Sequence, residues 1–243
     1  MRVVAIIQAR MGSTRLPGKV MKDLGGVSVL GRVVRRSRRA KLLHEVVVAT
    51  SVLPSDDVIA AECDRLSVAC FRGDEADVLD RYYGAAQKFA AEVVVRITAD
   101  CPLIDPELID ATVRAFFDQK YDYATNALVV TYPRGLDVEV FSAQALGRAW
   151  SEAKLSYERV HVTPYFYEID GRFRVGSVTA GADYSRHRWT LDTVEDLELM
   201  RAIYARFDNC DDMSWLEVLS LMDREPQLAL INSHVEQKVL QDG

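Results

Sequence analysis

Hydrophobic and polar positions change period along this chain, and the changes divide it into alternating strands and helices. From Val3 the run VVAII is apolar at consecutive positions, as in a strand buried on both faces. Residues Val27 to Ala40 place Val29, Leu30, Val33 and Val34 on one helical face, with arginines at 32, 35, 36, 38 and 39 opposite, which predicts an amphipathic helix with a solvated basic face. Val46 to Ser51 reads as a second buried strand, and Ser55 as the cap of a helix opening on Asp56 and Asp57. A short strand follows at Val68 to Phe71. The helix from about Glu75 to Ala91 turns Val78, Leu79, Tyr82, Tyr83, Ala86 and Phe89 inward.

Val93 to Thr98 is the third strong strand, followed by a helix at Pro106 to Phe117 that Asp105 caps. Strand and helix alternate to this point, the pattern of a doubly wound α/β sheet. After Tyr121 the alternation is lost. Short strands at Tyr121 to Thr125 and Val138 to Phe141 flank the turn Tyr132-Pro133-Arg134-Gly135, and helices are predicted at Leu146 to Ala153 and Glu158 to Ile169. A strand at Phe173 to Val178 precedes Arg188 to Asp192 and a helix that Thr193 caps, with Glu195 and Asp196 at its positive end. One or two short helices close the chain after Met213. A length of 243 residues suits one α/β domain over 1–243, with 121–178 as an inserted substructure.

Composition narrows the function classes. A net charge of −6 argues against a protein that lives on nucleic acid, since binding its backbone needs a basic face. Cys63, Cys70, Cys101 and Cys210 lack metal-ligand or disulfide spacing, which points to a reducing cytoplasm. No apolar stretch approaches membrane-spanning length and no export signal is apparent, so no membrane partner is expected.

The first candidate chemistry lies where the first strand ends. Arg10, Gly12, Arg15, Gly18 and Lys19 place three cations and two glycines within ten residues, suited to a polyanion such as a nucleoside triphosphate; a plain strand-to-helix turn with solvated charges is the alternative. Five residues separate Gly12 from Gly18 and Val20 follows Lys19, so the stretch is not a Walker A loop. Asp100, just past the third strong strand, faces the same crevice at the carboxyl ends of the strands. It is a candidate metal ligand, or else the residue of an Asx turn before Pro102.

In order, IIQARMGSTRLPGK, VVVATS, RGDEADVLDRYY, RITADCPLID, YPRGLDVEVF, HVTPY and RWTLDTVEDLELM closely resemble the cytidylyltransferases grouped with spore coat polysaccharide biosynthesis protein F, relatives of CMP-ketodeoxyoctonate and CMP-acylneuraminate synthetases. The resemblance covers about residues 1 to 205. It implies a nucleotidyltransferase fold of the glycosyltransferase A type, a mixed, mostly parallel sheet sandwiched by helices, and a homodimer. The reaction implied is attack of an anionic acceptor on the α-phosphorus of CTP, with Mg2+ as cofactor and pyrophosphate as leaving group.

Carried over residue by residue, the resemblance assigns catalytic cations to Arg10, Arg15 and Lys19. It assigns nucleotide contacts to Gln8, Ala9, Arg10, Gly12, Ser13, Lys19, Ala49, Thr50, Ser51, Asp80, Thr98 and Ala99, and the metal to Asp100 and Asp192. Asn126, Arg134, Asp137, Glu139, Arg159 and His161 are the expected acceptor contacts, although Arg134 with Glu139 also reads as a surface ion pair and His161 as a core residue. One departure is Arg159-Val160-His161-Val162-Thr163, where the family carries glutamate at the second position. It leaves the acceptor open among a sugar acid, a sugar phosphate, and a smaller acid such as a hydroxy acid or phosphonate.

Other readings are a nucleotide-sugar glycosyltransferase or an inactive nucleotide-binding module. Against the first, Asp100 is followed by Cys101 and Pro102 rather than completing a DxD motif; against the second, Lys19, Asp100 and Asp192 are all retained. The aromatic content of 121–178, Tyr165 and Phe166 included, points to this lobe as the homodimer contact and one wall of the acceptor pocket; rings that complete the core of a single subunit are the alternative.

Overall fold

The computed structural model describes residues 1–237. Its strands are β1 (Val3–Gln8), β2 (Glu45–Ser51), β3 (Ala69–Gly73), β4 (Val93–Thr98), β5 (Tyr123–Thr125), β6 (Glu139–Ser142) and β7 (Val175–Ser177). Its α-helices are α1 (Val29–Ser37), α2 (Asp57–Arg65), α3 (Val78–Lys88), α4 (Pro106–Asp118), α5 (Ala143–Glu152), α6 (Ser156–His161), α7 (Pro164–Tyr167), α8 (Val194–Arg206), α9 (Trp215–Arg224) and α10 (Gln227–Leu230). The strands form one sheet in the order β3-β2-β1-β4-β6-β5-β7, with β6 antiparallel to both its neighbours and the other pairings parallel. The mixed, mostly parallel sheet between helices is therefore as expected.

Consecutive apolar residues in β1 serve both faces of the sheet. Val3, Ala5 and Ile7 enter a core with α1, α4, α8 and α9, while Val4 and Ile6 enter a second core with α3, α5 and α7. The carboxyl ends of β1, β2 and β4 lie at one edge, and the antiparallel β6 begins there with Glu139 opposite Arg96. Residues 9 to 19, 99 to 105 and 188 to 192 gather at that edge. Among the described residues, no helix is long and apolar enough to cross a membrane.

Three expectations are corrected. Arg32 and Arg36 do not belong to a solvated face: they are 1% and 0% exposed. Arg32 donates to the carbonyls of Leu24, Gly25 and Asn209, and Arg36 to those of Leu103, Ile104, Asp211 and Met213. Their long stems pass through the apolar contact and the guanidinium groups satisfy backbone acceptors beyond it. Ser55 does not cap a helix but lies in a 3-10 turn, Pro54–Asp56, before α2. The helix expected over Glu158 to Ile169 is two helices, broken where Val162 takes a φ of 70° ahead of Pro164.

The aromatic signal from 121–178 also has an account inside the subunit. Tyr123, Phe141, Phe166 and Phe173 form a chain of ring contacts with centroids 5.0 to 6.4 Å apart. Tyr165 and Phe166 are buried. These rings complete the second core, so charged substitutions at 165 and 166 would act on folding and cannot diagnose a dimer.

Candidate active site

The loop after β1 is shaped by its own backbone. The Met11 carbonyl accepts from the amides of Ser13 (2.8 Å) and Gly18 (3.1 Å), drawing the far end of the loop back to its start. Gly18 sits at φ 65°, a conformation glycine adopts without penalty. A 3-10 turn, Lys19–Met21, follows immediately and aims the Lys19 side chain across the sheet edge.

Asp56 anchors the loop from below. Its carboxylate accepts from the Met11 amide (2.8 Å), Thr50 Oγ1 (3.0 Å), Ser51 Oγ (2.6 Å) and the Ser51 amide (3.2 Å). Burial opposes the charge, but the donors from Ser51, Met11 and Thr50 outweigh it and hold the pKa below the ordinary range. Thr50 and Ser51, predicted to meet the nucleotide, thus spend their hydroxyls on Asp56, and Ala49 is buried in β2. Asp56 read in the sequence only as a helix-opening acid.

At the centre, Lys19 Nζ lies 2.6 Å from Asp100 Oδ2 and 2.7 Å from Asp192 Oδ1. Arg15 Nη2 and Arg188 Nη2 each lie 2.8 Å from Asp192 Oδ2. The Leu191 amide donates to the Asp100 carbonyl (2.8 Å), and this backbone bond brings the two carboxylates, about ninety residues apart in sequence, side by side. Burial disfavours charge on Asp100, yet the Lys19 ammonium holds its pKa down at about 2. Burial likewise works against the Lys19 charge, and Asp100 and Asp192 overcome it to raise its pKa.

Two carboxylates thus converge on the point that an ammonium occupies. Hard oxygen donors without thiolate or imidazole suit magnesium, which keeps waters and takes phosphate oxygens as its other ligands. Among the described residues, no group of three or more His, Cys, Asp or Glu could hold a metal by itself. The donor set fits a cation that arrives with a phosphate.

The remaining predicted residues lie around this centre in several roles. Arg10 is exposed, and Gly12 and Ser13 stand on the loop, with Glu75 Oε1 3.3 Å from where a Cβ on Gly12 would lie. Gln8 ends β1 with its Oε1 buried and, among the described residues, without a hydrogen-bond partner; Ala9 continues the ladder to the Ala49 carbonyl (3.1 Å), and Ala99 is buried beside them. Thr98 Oγ1 lies 3.2 Å from Cys101 Sγ. Asp80 accepts from Trp150 Nε1 (2.8 Å), toward α5.

Asn126 is buried, donating to the Leu136 carbonyl (2.9 Å) and accepting from the Val138 amide (2.8 Å), which braces the segment carrying Asp137. Glu139 pairs with Arg96 and accepts from Tyr123 Oη (2.6 Å), not with Arg134. Burial pushes the Asp137 carboxyl up to about 6; the Gly135 amide and Arg134 pull against the rise, and Glu139 and Asp100 add to it. The Arg134 backbone joins the 187–189 segment through His187 and Trp189, at 3.0 and 2.7 Å. Gly135 lies so close to that segment that a Cβ there would stand 2.5 Å from Thr190 N. Arg159 reaches Asp77 at the start of α3 (2.6 Å), and His161 ends α6.

Sequence reasoning passed over Arg188. It donates to Asp192 and also to Asp196, which is fully buried and accepts from Asn232 Nδ2 (2.8 Å) and the amides of Asp192 (2.9 Å) and Thr193 (3.0 Å). The signal available was slight: Arg188 is one basic residue four positions before Asp192, in a segment outside any helix.

Comparison with known proteins follows this geometry. A family model described as cytidylyltransferase matches residues 4–237. The chain is 36% identical over 243 residues to the spore coat polysaccharide biosynthesis protein SpsF of Bacillus subtilis, spanning 93% of this chain and 96% of that one. The solved structure of a cytidylyltransferase from Leptospira borgpetersenii aligns with a TM-score of 0.91 at 33% identity, over 98% of this chain and 99% of that one. A CMP:2-keto-3-deoxy-manno-octonic acid synthetase solved with CTP shares the fold, with a TM-score of 0.64 at 20% identity, over 85% of this chain and 100% of that one.

Proposed function

This chain belongs to the cytidylyltransferase family, and from that premise we propose that it transfers CMP from CTP to a small anionic acceptor, a sugar acid or another small acid, with release of pyrophosphate. The observation that carries the reading is the convergence of Lys19, Asp100 and Asp192 at one point, with Arg15 beside them on the glycine-bearing loop. Such a transfer needs positioning and charge neutralisation more than a dedicated covalent group.

Each side chain has a part in that scheme. Arg15 and Lys19 grip the phosphates, and Asp56 keeps the loop carrying Met11 to Lys19 in the shape that presents them. Asp100 and Asp192 would hold magnesium, which would supply charge neutralisation for the triphosphate and the departing pyrophosphate. The acceptor oxygen forms its bond to the α-phosphorus as the bond to the bridging oxygen of pyrophosphate breaks. Asp137, with its pKa raised to about 6, is the carboxylate suited to take the acceptor's proton near neutral pH. Arg134 stands beside it as a cation for the acceptor's own negative charge.

The test is pyrophosphate release from each of the four nucleoside triphosphates across a panel of sugar acids, hydroxy acids, sugar phosphates and phosphonates with magnesium. CTP with an acid acceptor is expected to respond. Phosphonate turnover without sugar-acid turnover would move the acceptor to the second class, and release from no combination would end the enzyme reading.

The chain is further proposed to act as one domain, in the cytoplasm, as a homodimer. Four free cysteines suit that compartment. Since the buried rings of the 121–178 lobe are spent within the subunit, exposed Leu128, Val129, Leu155 and Ile169 are the apolar residues this lobe has left for a second copy. Light scattering is expected to give about twice the 27.3 kDa of one chain; a mass near one chain at micromolar concentration would rule the dimer out.

A further inference from the structure

Asp192 is held by three cations that differ in how they are themselves held. Arg15 and Lys19 lie on the loop after β1; Lys19 takes Asp192 Oδ1, and Arg15 shares Oδ2 with Arg188. Arg188 comes from the segment of Asp192 itself and is tied to the interior through Asp196, which Asn232 and two backbone amides also bind. Two carboxylates, Asp100 and Asp192, therefore face three positive groups. With Asp196 on Arg188, three carboxylates balance the three cations, so a free divalent cation meets no net negative charge and must displace an ammonium to enter. When the phosphates of a nucleotide draw off Arg15 and Lys19, the two carboxylates and Arg188 that remain are net negative. The cluster then favours a dication.

We infer that Arg188 is a positioning residue for the cation site: it fixes Asp192 through one carboxylate oxygen and leaves the other, now on Lys19, for a metal that enters together with the nucleotide. This rests on the nucleotidyltransferase reading for the identity of the phosphate donor, but the arrangement itself is a property of these side chains. Charge alone predicts the opposite effect for Arg188, since removing a nearby cation would tighten a dication. Positioning predicts loosening, because an outer partner that orients a ligating carboxylate contributes about 10–100-fold to metal affinity.

The sign of the change is therefore diagnostic, and Mn2+ binding followed by electron paramagnetic resonance reads it without turnover. Wild type with Mn2+ alone is expected to bind weakly, and Lys19→Gln at least about tenfold more tightly, because the internal ammonium is gone. Adding Arg188→Met to Lys19→Gln should weaken Mn2+ by about tenfold or more, with Arg188→Lys restoring part of the loss. Asp196→Asn, which loosens Arg188 and keeps an amide oxygen to accept from the Asp192 backbone, should act in the same direction and serves if Arg188→Met unfolds. Unchanged or tighter Mn2+ binding on removal of Arg188 overturns the inference, as does a Lys19→Gln protein that binds no better than wild type. A separate arm adds the uncleavable α,β-methylene analogue of CTP to wild type, where Mn2+ uptake should tighten beyond what the analogue binds by itself. Failure of the analogue to bind would count against the cytidylyl reading, while the arms with metal alone still judge Arg188.

Discussion

Replacing Asp100 by Asn is expected to lower turnover by at least about two orders of magnitude, the scale of losing an electrostatic partner of the transition state, while leaving the fold in place. Asn keeps the size and most of the hydrogen bonding of the side chain and removes its charge. The backbone that positions it stays, because the Asp100 carbonyl still accepts from the Leu191 amide. Stability should fall without loss of the fold. The Asp100 pKa falls from 3.8 to about 2 on folding, so its ionised form stabilises the native state at neutral pH, a contribution lost only as pH drops toward 2. That shift corresponds to about 2 kcal/mol, which a domain stable by about 5–15 kcal/mol survives. Pyrophosphate release and a circular dichroism melt measure the two effects. Turnover near wild type in a folded Asp100→Asn protein would remove Asp100 from the cation site.

Much of this arrangement was legible because it is local. The buried runs at β1, β2 and β4 carry their signal in consecutive apolar residues, and the strand ends they define point to the loop of residues 10 to 19 and to Asp100. What escaped the sequence depends on contacts between distant segments. Asp56 stands where any helix start would carry a polar residue and Arg188 in the irregular segment before α8, and only the fold brings Met11 to the first and Asp192 to the second. The break before Pro164 was announced by the proline itself, which a helix cannot carry in its interior without losing a hydrogen bond. Periodicity favoured one helix there because Val162 at the break and Tyr165 and Phe166 beyond it face the same core.

The arginines of α1 show why a polar face can be misread, and Arg36 makes the error measurable. Replacing Arg36 by Met is expected to destabilise the protein by about 3–5 kcal/mol, because several buried carbonyls lose their donor at once. Its guanidinium donates to the carbonyls of Ile104 (2.8 Å), Asp211 (2.8 Å), Met213 (2.9 Å) and Leu103 (3.3 Å), joining α1 to the segments that precede α4 and α9. A methionine fills much of the volume but supplies no donor, and each buried carbonyl left without one costs about 1–3 kcal/mol unless water reaches it. Relief from desolvating the guanidinium offsets part of this. It does not cancel it, because the acceptors are backbone groups that substitution cannot remove. Arg36→Lys keeps the charge but concentrates its donors at one atom, which cannot span the same acceptors, so it too should destabilise. Arg35, one position away and 47% exposed in its side chain, provides the contrast. Arg35→Met should stay within about 0.5 kcal/mol of wild type, as surface substitutions do. Urea unfolding of the variants decides: similar midpoints for Arg35→Met and Arg36→Met would mean that the buried cation holds nothing together.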